Sequence, residues 1–429
     1  MHRLRYAPLL LLLLLLPATY ALAQDAFVSV REGRFYRYGQ PYTYLGTNFW
    51  YGINLASQGP GGDRARLRRE LDRLESLGIR NLRIVAGSEG PDTEPYRMVP
   101  ALQPAQGRYN EDLLDGLDFL LWEMGKRDMT AVVCLNNFWH WSGGMTQYLA
   151  WQNGQSIPYP PPAEGGNWTR YQFYASSFYE QEAATQAFEA HIARIVGRVN
   201  AYTGIAYRED PTIMAWQLAN EPRGIMRGRA YRRWIDRTAA YIKSLDPRHL
   251  VSTGSEGNTS SPAAGNHFRK DHRSKHIDYT TIHIWVQNWN WYDPSDPASL
   301  AAAQDKALAY LDTHLATARA LGKPLVLEEF GISRDGNDHA PRATVAIRDQ
   351  YYGFIFQAIL DRLDAGAAGV NFWAWGGEGR PRLPEAMWKP GDTWTGDPPH
   401  EPQGWYSVYD ADATTLALIR DYAARLQRK

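Results

Sequence analysis

The first chemistry this sequence offers comes from acidic residues placed at the ends of apolar runs. The stretch "AWQLANEPRG" (Ala215 to Gly224) sets Asn220 and Glu221 directly after one such run, and "LEEFG" (Leu327 to Gly331) closes another with Glu328 and Glu329. A protonated carboxyl that donates to a leaving oxygen and an ionised carboxylate that attacks the anomeric carbon, ~5 Å apart, are what retaining hydrolysis of a glycosidic bond requires. A lone Glu at such a place is more often a solvated or ion-paired loop residue. The two acids therefore matter only if the fold brings their strand ends together.

The elements around them supply that fold. Eight short β-prone runs alternate with helical patterns: Pro41 to Gly46, Arg80 to Val85, Thr130 to Leu135, Thr212 to Leu218, His249 to Thr253, Asp278 to Ile284, Pro324 to Phe330 and Gly369 to Trp375. Between them, Leu67, Leu71, Leu74 and Leu77 share one face behind a cap at Asp63 and ahead of a stop at Gly78, and Leu113, Leu117, Leu120 and Met124 repeat the design up to Gly125. Further helices fit Gln181 to Asn200, Arg229 to Ser244, Ser299 to Leu321, Ala343 to Ala365 and Asp412 to Gln427. Strand then helix, eight times, predicts an α/β chain: a single-domain (β/α)8 TIM barrel with its long loops, Tyr159 to Trp168 and Lys389 to Trp405, at the C-terminal face where ligands bind. The fifth unit is the weak one, since the residues after His249 to Thr253 show no clean helical period. In a closed barrel the ends of strands four and seven face each other across the mouth, which is where Glu221 and Glu329 fall.

Composition narrows the remaining classes. The chain has 429 residues, 44% of them hydrophobic, with 46 basic and 46 acidic side chains. Without net charge or a basic block, nothing points to nucleic acid; the surplus is aromatic, with 16 Trp and 26 Tyr. Arg3 and Arg5 ahead of the run Leu9 to Leu16, followed by "ALA" at Ala21 to Ala23, read as a cleaved signal peptide over residues 1–23, leaving a catalytic domain over 24–429 that is secreted or periplasmic. The apolar run is about half the ~20 residues a membrane span needs, so no membrane association is expected after cleavage. Cys134 is the only cysteine, so an intrachain disulfide is excluded. The sequons at Asn167 and Asn258 matter only in a host that glycosylates secreted proteins.

The motifs themselves carry a resemblance. "WQLANEPRG", "IHIWVQNW", "KPLVLEEFG", "NLRIV" and "NFWAWGG", with "GTNFWYG", "NNFWHWSGG" and "STGSEG", resemble the strand ends of glycoside hydrolase family 5, and as an ordered set they are most similar to its endo-β-1,4-mannanase branch. The resemblance spans essentially the whole mature chain. It implies that Glu221 is the acid/base and Glu329 the nucleophile, Glu329 being favoured over Glu328 because the family pattern is Glu, aromatic, Gly. Alternation along a strand agrees, since it lets only one of the two neighbours face the mouth and leaves Glu328 paired or buried behind. It further implies that Arg83 keeps Glu329 ionised, that Asn220 donates to the sugar 2-hydroxyl, that His283 and Trp285 flank the nucleophile, and that Trp375 offers a flat face to the reacting sugar, with Trp373 as the alternative. Trp50 in "GTNFWYG" joins the aromatic binding residues. Where many family members carry His at the end of strand three, this chain has Asn137, as the mannanase branch often does. His140 is not promoted in its place.

His283 with His140, Glu221 and Glu329 could be drawn as a metal site, but no HExxH or comparable close ligand pair is present, and no G-x-S-x-G marks a serine nucleophile. The expectation is a monomeric, cofactor-free, metal-free enzyme acting on internal bonds of β-mannan, galactomannan or glucomannan or on manno-oligosaccharides. A β-1,4-glucanase on the same scaffold, or a glycan-binding protein without activity, are the alternatives.

Overall fold

The eight expected strands form: β1 (Tyr44–Asn48), β2 (Asn81–Val85), β3 (Thr130–Cys134), β4 (Ile213–Gln217), β5 (Leu250–Ser252), β6 (Thr280–Ile284), β7 (Leu325–Phe330) and β8 (Ala367–Phe372). They make one all-parallel sheet in the spatial order β5-β4-β3-β2-β1-β8-β7-β6. This computed structural model describes residues 26–428; the signal peptide expected over residues 1–23 lies outside them. The ring's two end strands meet through the Asp278 N–H, which donates to Val251 O at 2.9 Å, and the His283 N–H, which donates to Glu256 O at 3.0 Å. The Asp278 carboxylate also accepts from the Val251 N–H at 2.7 Å.

The outer layer comprises α1 (Arg64–Ser76), α2 (Glu111–Gly125), α3 (Glu182–Val196), α4 (Gly228–Leu245), α5 (Phe268–Asp271), α6 (Ser299–Ala320), α7 (Ala346–Leu360) and α8 (Ala413–Leu426). The expected signals operate. The Asp63 side chain caps α1 by accepting from the Arg66 N–H at 2.8 Å, and Gly78, at φ +79°, takes the left-handed conformation just past the helix end. Leu67, Leu71 and Leu74 are fully buried against the barrel. In the fifth unit a 3-10 turn (Pro262–Ala264) and the four-residue α5 stand in place of a long helix, which is the physical content of the missing period.

Inside the barrel the side chains change character with height. At the bottom Tyr44, Val132, Met214, Leu250, Tyr279 and Val326 form an apolar cluster closed from below by Val28 and Phe35 of the N-terminal hairpin segment. Above them the inward-facing residues are polar: Asn48, Arg83, Gln217 and Glu328, all buried. Such residues cost free energy unless fully paired, so the upper layer marks a site rather than a packing solution. The long loops after β3 and β8 sit at this C-terminal face, as expected.

Candidate active site

Arg83 organises the mouth. From the middle of β2 its Nε donates to Gln217 Oε1 at 2.8 Å, Nη1 to Asn48 Oδ1 at 3.0 Å, Nη2 to Asn220 Oδ1 at 2.8 Å, and Nη1 also to Glu329 Oε1. A planar guanidinium with five donors is the group that can be buried and still satisfy so many acceptors. Its neighbours come from β1, β4 and β7, so one side chain fixes three strand ends. Asn220 is held from its other side too, its Nδ2 donating to Asn137 Oδ1 at 3.2 Å.

Glu221 lies just past β4 with φ +48°, a left-handed conformation uncommon for a non-glycine residue. Its N–H donates to Gly254 O at 2.9 Å, which pins the strained residue to the end of β5. The carboxylate then meets two partners: Trp139 Nε1 donates to Oε2 at 2.6 Å, and His283 Nδ1 stands 2.6 Å from Oε1. The same His283 Nδ1 is 3.3 Å from Glu329 Oε2. Glu221, His283 and Glu329 each present an atom within 4.8 Å of the others. The strand ends that the sequence leaves far apart thus converge on one imidazole.

Burial alone would drive His283 toward its neutral form, but the charge of Glu329 and the hydrogen bonds to Glu221, Glu328 and Glu329 outweigh it and raise its pKa well above the ordinary histidine range. The spacing of the three groups would suit a metal ion, yet a protonated Nδ1 has no lone pair to offer, and Arg83 already brings positive charge to Glu329.

Glu328 departs from the expected geometry. Alternation should point it away from the barrel axis, but its carboxylate accepts from Gln217 Nε2 at 2.7 and 2.9 Å and from Tyr279 Oη at 3.4 Å, inside the barrel. The register between β6 and β7 slips there, Leu327 pairing with Ile282 and Glu329 with His283. This bulge turns both neighbours inward. Glu329 reaches the mouth, and Glu328 sits beneath it, buried and paired as expected but for a different reason.

Above the pair opens a cavity of about 1300 Å³, lined among others by Trp139, Trp168, Asn220, Glu221, Trp285, Glu329, Trp373, Glu401 and Trp405. Trp373, not Trp375, is the β8 aromatic in this wall. The strand ends at Phe372; beyond it Trp375 joins a short second ladder with Val408, its indole fully buried and donating to Glu70 Oε2 of α1 at 3.0 Å. Trp50 is likewise a core residue, 1% exposed, donating to Gly396 O at 2.9 Å and packed edge-on against Trp141 and Trp394. Asn137, Arg83 and His283 are buried beneath the cavity and reach it only through Asn220, Glu221 and Glu329.

Several groups at the site were not singled out from the sequence. Trp139 was visible in "NNFWHW" but only as one of many aromatics. Arg223, two residues after Glu221, is gripped by Glu256 at 2.7 and 2.8 Å and lies 4.8 Å over the Trp139 ring. Glu401, in the loop after β8, lines the cavity with no hydrogen-bond partner for Oε2; burial, then Asp397, Glu329 and Glu221, raise its pKa well above the carboxylate range. Beside it His400 is pushed down to about 3 by burial. The flagged length of that loop was the one available signal.

A parallel (β/α)8 barrel with two carboxylates converging at its C-terminal mouth defines the class, a glycoside hydrolase. A family model described as "GH family 5 beta-mannosidase-like" matches residues 25–429. The crystal structure of a glycoside hydrolase family 5 mannosidase from Rhizomucor miehei is 42% identical, with a TM-score of 0.88, covering 94% of this chain and 98% of that one; a mutant of it, at 41% identity, was solved in complex with mannosyl-fructose. Mannan endo-1,4-beta-mannosidase 7 of Arabidopsis thaliana is 31% identical over 371 residues, covering 83% of this chain and 79% of the relative. The putative mannan endo-1,4-beta-mannosidase 9 of rice is 31% identical over 369 residues, covering 82% of each chain. The chain belongs to glycoside hydrolase family 5.

Proposed function

We propose that this chain is a retaining endo-β-1,4-mannanase, hydrolysing mannosidic bonds of mannan, galactomannan and glucomannan by double displacement. The observation that carries the mechanism is the pairing of Glu221 with Glu329 through His283, with ligand atoms within 4.8 Å. That spacing suits direct attack and leaves no room for the water an inverting enzyme holds between carboxyls ~6.5–9.5 Å apart. Glu329, in contact with the Arg83 guanidinium and with His283, attacks the anomeric carbon as Glu221 protonates the leaving oxygen; Glu221 then takes a proton from water, whose oxygen displaces Glu329. Trp373 carries the reacting sugar, and Asn220 faces its 2-hydroxyl, axial in a mannoside. No cofactor enters, and the chain acts as a monomer exported through the signal peptide over residues 1–23.

A second reading, release of terminal sugars from short chains, is favoured by the shape of the cleft. Its wall comes from the loops after β3, β4, β5, β6 and β8, Trp141 among them, and from Glu329, while β1 contributes no residue to it and Trp50, just past that strand, is buried against Trp141 and Trp394. The two modes separate in one assay. Internal cutting makes galactomannan viscosity fall much faster than reducing ends accumulate, with mannobiose and mannotriose as products. Mannose alone from the outset selects the terminal mode, and equal action on carboxymethylcellulose overturns the mannan assignment in either form. N-terminal sequencing of the exported protein, expected to start near Gln24, tests export.

A further inference from the structure

We propose that Trp168 is the stacking platform of a distal aglycone subsite, holding a pyranose ring of the leaving chain two sugars beyond the cleaved bond. The proposal rests on the mannoside reading above and deepens it.

The argument is one of position and of exposure. Glu221 protonates the leaving oxygen, so whatever lies beyond Glu221 on the side away from Trp373 faces the departing chain. Trp139 is first in that direction, bonded to Glu221 through its indole N–H. It is not free to stack on a sugar: Tyr171 lies parallel to it at 6.3 Å and the Arg223 guanidinium stands 4.8 Å over its ring.

Trp168 comes next, 5.6 Å from Trp139 and at 87° to it. Tyr171 also meets it at 87°, and two-fifths of the residue (40%) stays exposed. A lone exposed aromatic needs no explanation, but this one lines the cavity together with Pro161, Gln172, Ser260 and Ser261. An exposed indole among an amide and two hydroxyls matches the chemistry of a pyranose, whose C–H face is apolar and whose rim is hydroxylated. The platform is also held in place. Trp168 opens the helix Trp168–Ser176, whose first turn is capped by Asn167 Oδ1 accepting from the Arg170 N–H at 2.9 Å, and Gln172 Oε1 accepts from Arg223 at 3.0 Å.

The test compares Trp168→Ala and Trp168→Phe on mannobiose and mannopentaose. The ratio of kcat/KM for the longer over the shorter substrate is expected to fall about tenfold in Trp168→Ala and to recover most of that loss in Trp168→Phe. A ratio unchanged in Trp168→Ala, whether both substrates suffer equally or neither does, overturns the subsite. Equal loss of the ratio in Trp168→Phe overturns stacking as its basis. Wild-type protein that cleaves neither oligosaccharide sinks the mannoside reading, and the subsite with it.

Discussion

Two glutamates with similar surroundings in the sequence have different partners in the fold, and their variants should differ accordingly. Glu329 is held by Arg83 and has no substitute as a nucleophile, so Glu329→Ala should lower kcat by at least ~10⁴-fold on every substrate, including aryl mannosides with good leaving groups. Glu221→Ala should keep the first step on such activated substrates, because they need little acid assistance, and azide should speed the second step by forming a glycosyl azide. Stopped-flow release of the aryl alcohol and product analysis with azide check this; equal, unrescued loss in both variants would refute the division of roles. At this scale the sequence was informative where a polar residue interrupts an apolar run, as at Arg83, Asn220 and Glu329. It was uninformative where backbone geometry leaves the ideal strand. Past Phe372 alternation has no authority over Trp373 and Trp375, and the bulge at Glu328 sends two consecutive side chains the same way. Glu401 and Glu256 lie in loops without periodicity, where only the length of the loop after β8 and the motif "STGSEG" drew attention and neither gave a role to the acid.

The loops that carry the cleft are themselves held by buried polar groups, and one of these ties stability to pH. Glu89, after β2, accepts from the Gly144 N–H at 2.8 Å, at the start of the helix Gly144–Asn153, and its Oε1 has no partner. Burial is the main cause that raises its pKa to about 8, with the Gly144 N–H, Tyr148 and Arg97 opposing it. The native state therefore keeps a proton that the unfolded chain releases near the ordinary glutamate value of ~4.3. Stability from this group is fully present below that value and is lost as pH rises toward and through 8. Glu89→Gln keeps the acceptor without the charge. Its melting temperature should match wild type near pH 4, exceed it increasingly up to about pH 8 and by a constant amount above that, the gap corresponding to a few kcal/mol; a constant difference from pH 4 to pH 8 would show that Glu89 is not the titrating group. The strands, by contrast, were legible to within a few residues, because parallel strands covered on both faces are written as continuous apolar runs.

For the molecule as a whole, the polar upper half of the barrel sets two basic side chains, Arg83 and His283, against the three acids Glu221, Glu328 and Glu329. The cations that steady the carboxylates are built into the chain, so dialysis against EDTA should leave both kcat/KM and the melting temperature unchanged. Loss of activity restored by Zn²⁺ or Ca²⁺ would place an ion among Glu221, His283 and Glu329. The ring as a fold class was readable from eight alternations. The particular bonds that join β5 to β6 were not, because they are side-chain and loop contacts that no periodicity encodes.

That join behaves as a zip fastener with few teeth. Elsewhere each strand is laced to its neighbour along a continuous ladder, whereas β5 and β6 meet through the Asp278 and His283 amides, the Asp278 carboxylate and the Thr281 hydroxyl, which donates to Ser255 O at 2.8 Å. Native-state amide exchange should find its lowest-energy concerted opening there, with Leu250–Ser252 and Thr280–Ile284 losing protection before Asn81–Val85 and Thr130–Cys134. His283 rides on the moving edge. Each such opening withdraws the imidazole from Glu221 and Glu329 together, so the barrel samples a transiently disarmed form whose population equals the fraction of time the seam is unfastened. Asp278→Ala, which removes a tooth remote from the substrate, should raise that fraction and lower the active-site concentration titrated by a mechanism-based inhibitor as temperature rises, well before the rest of the ring melts.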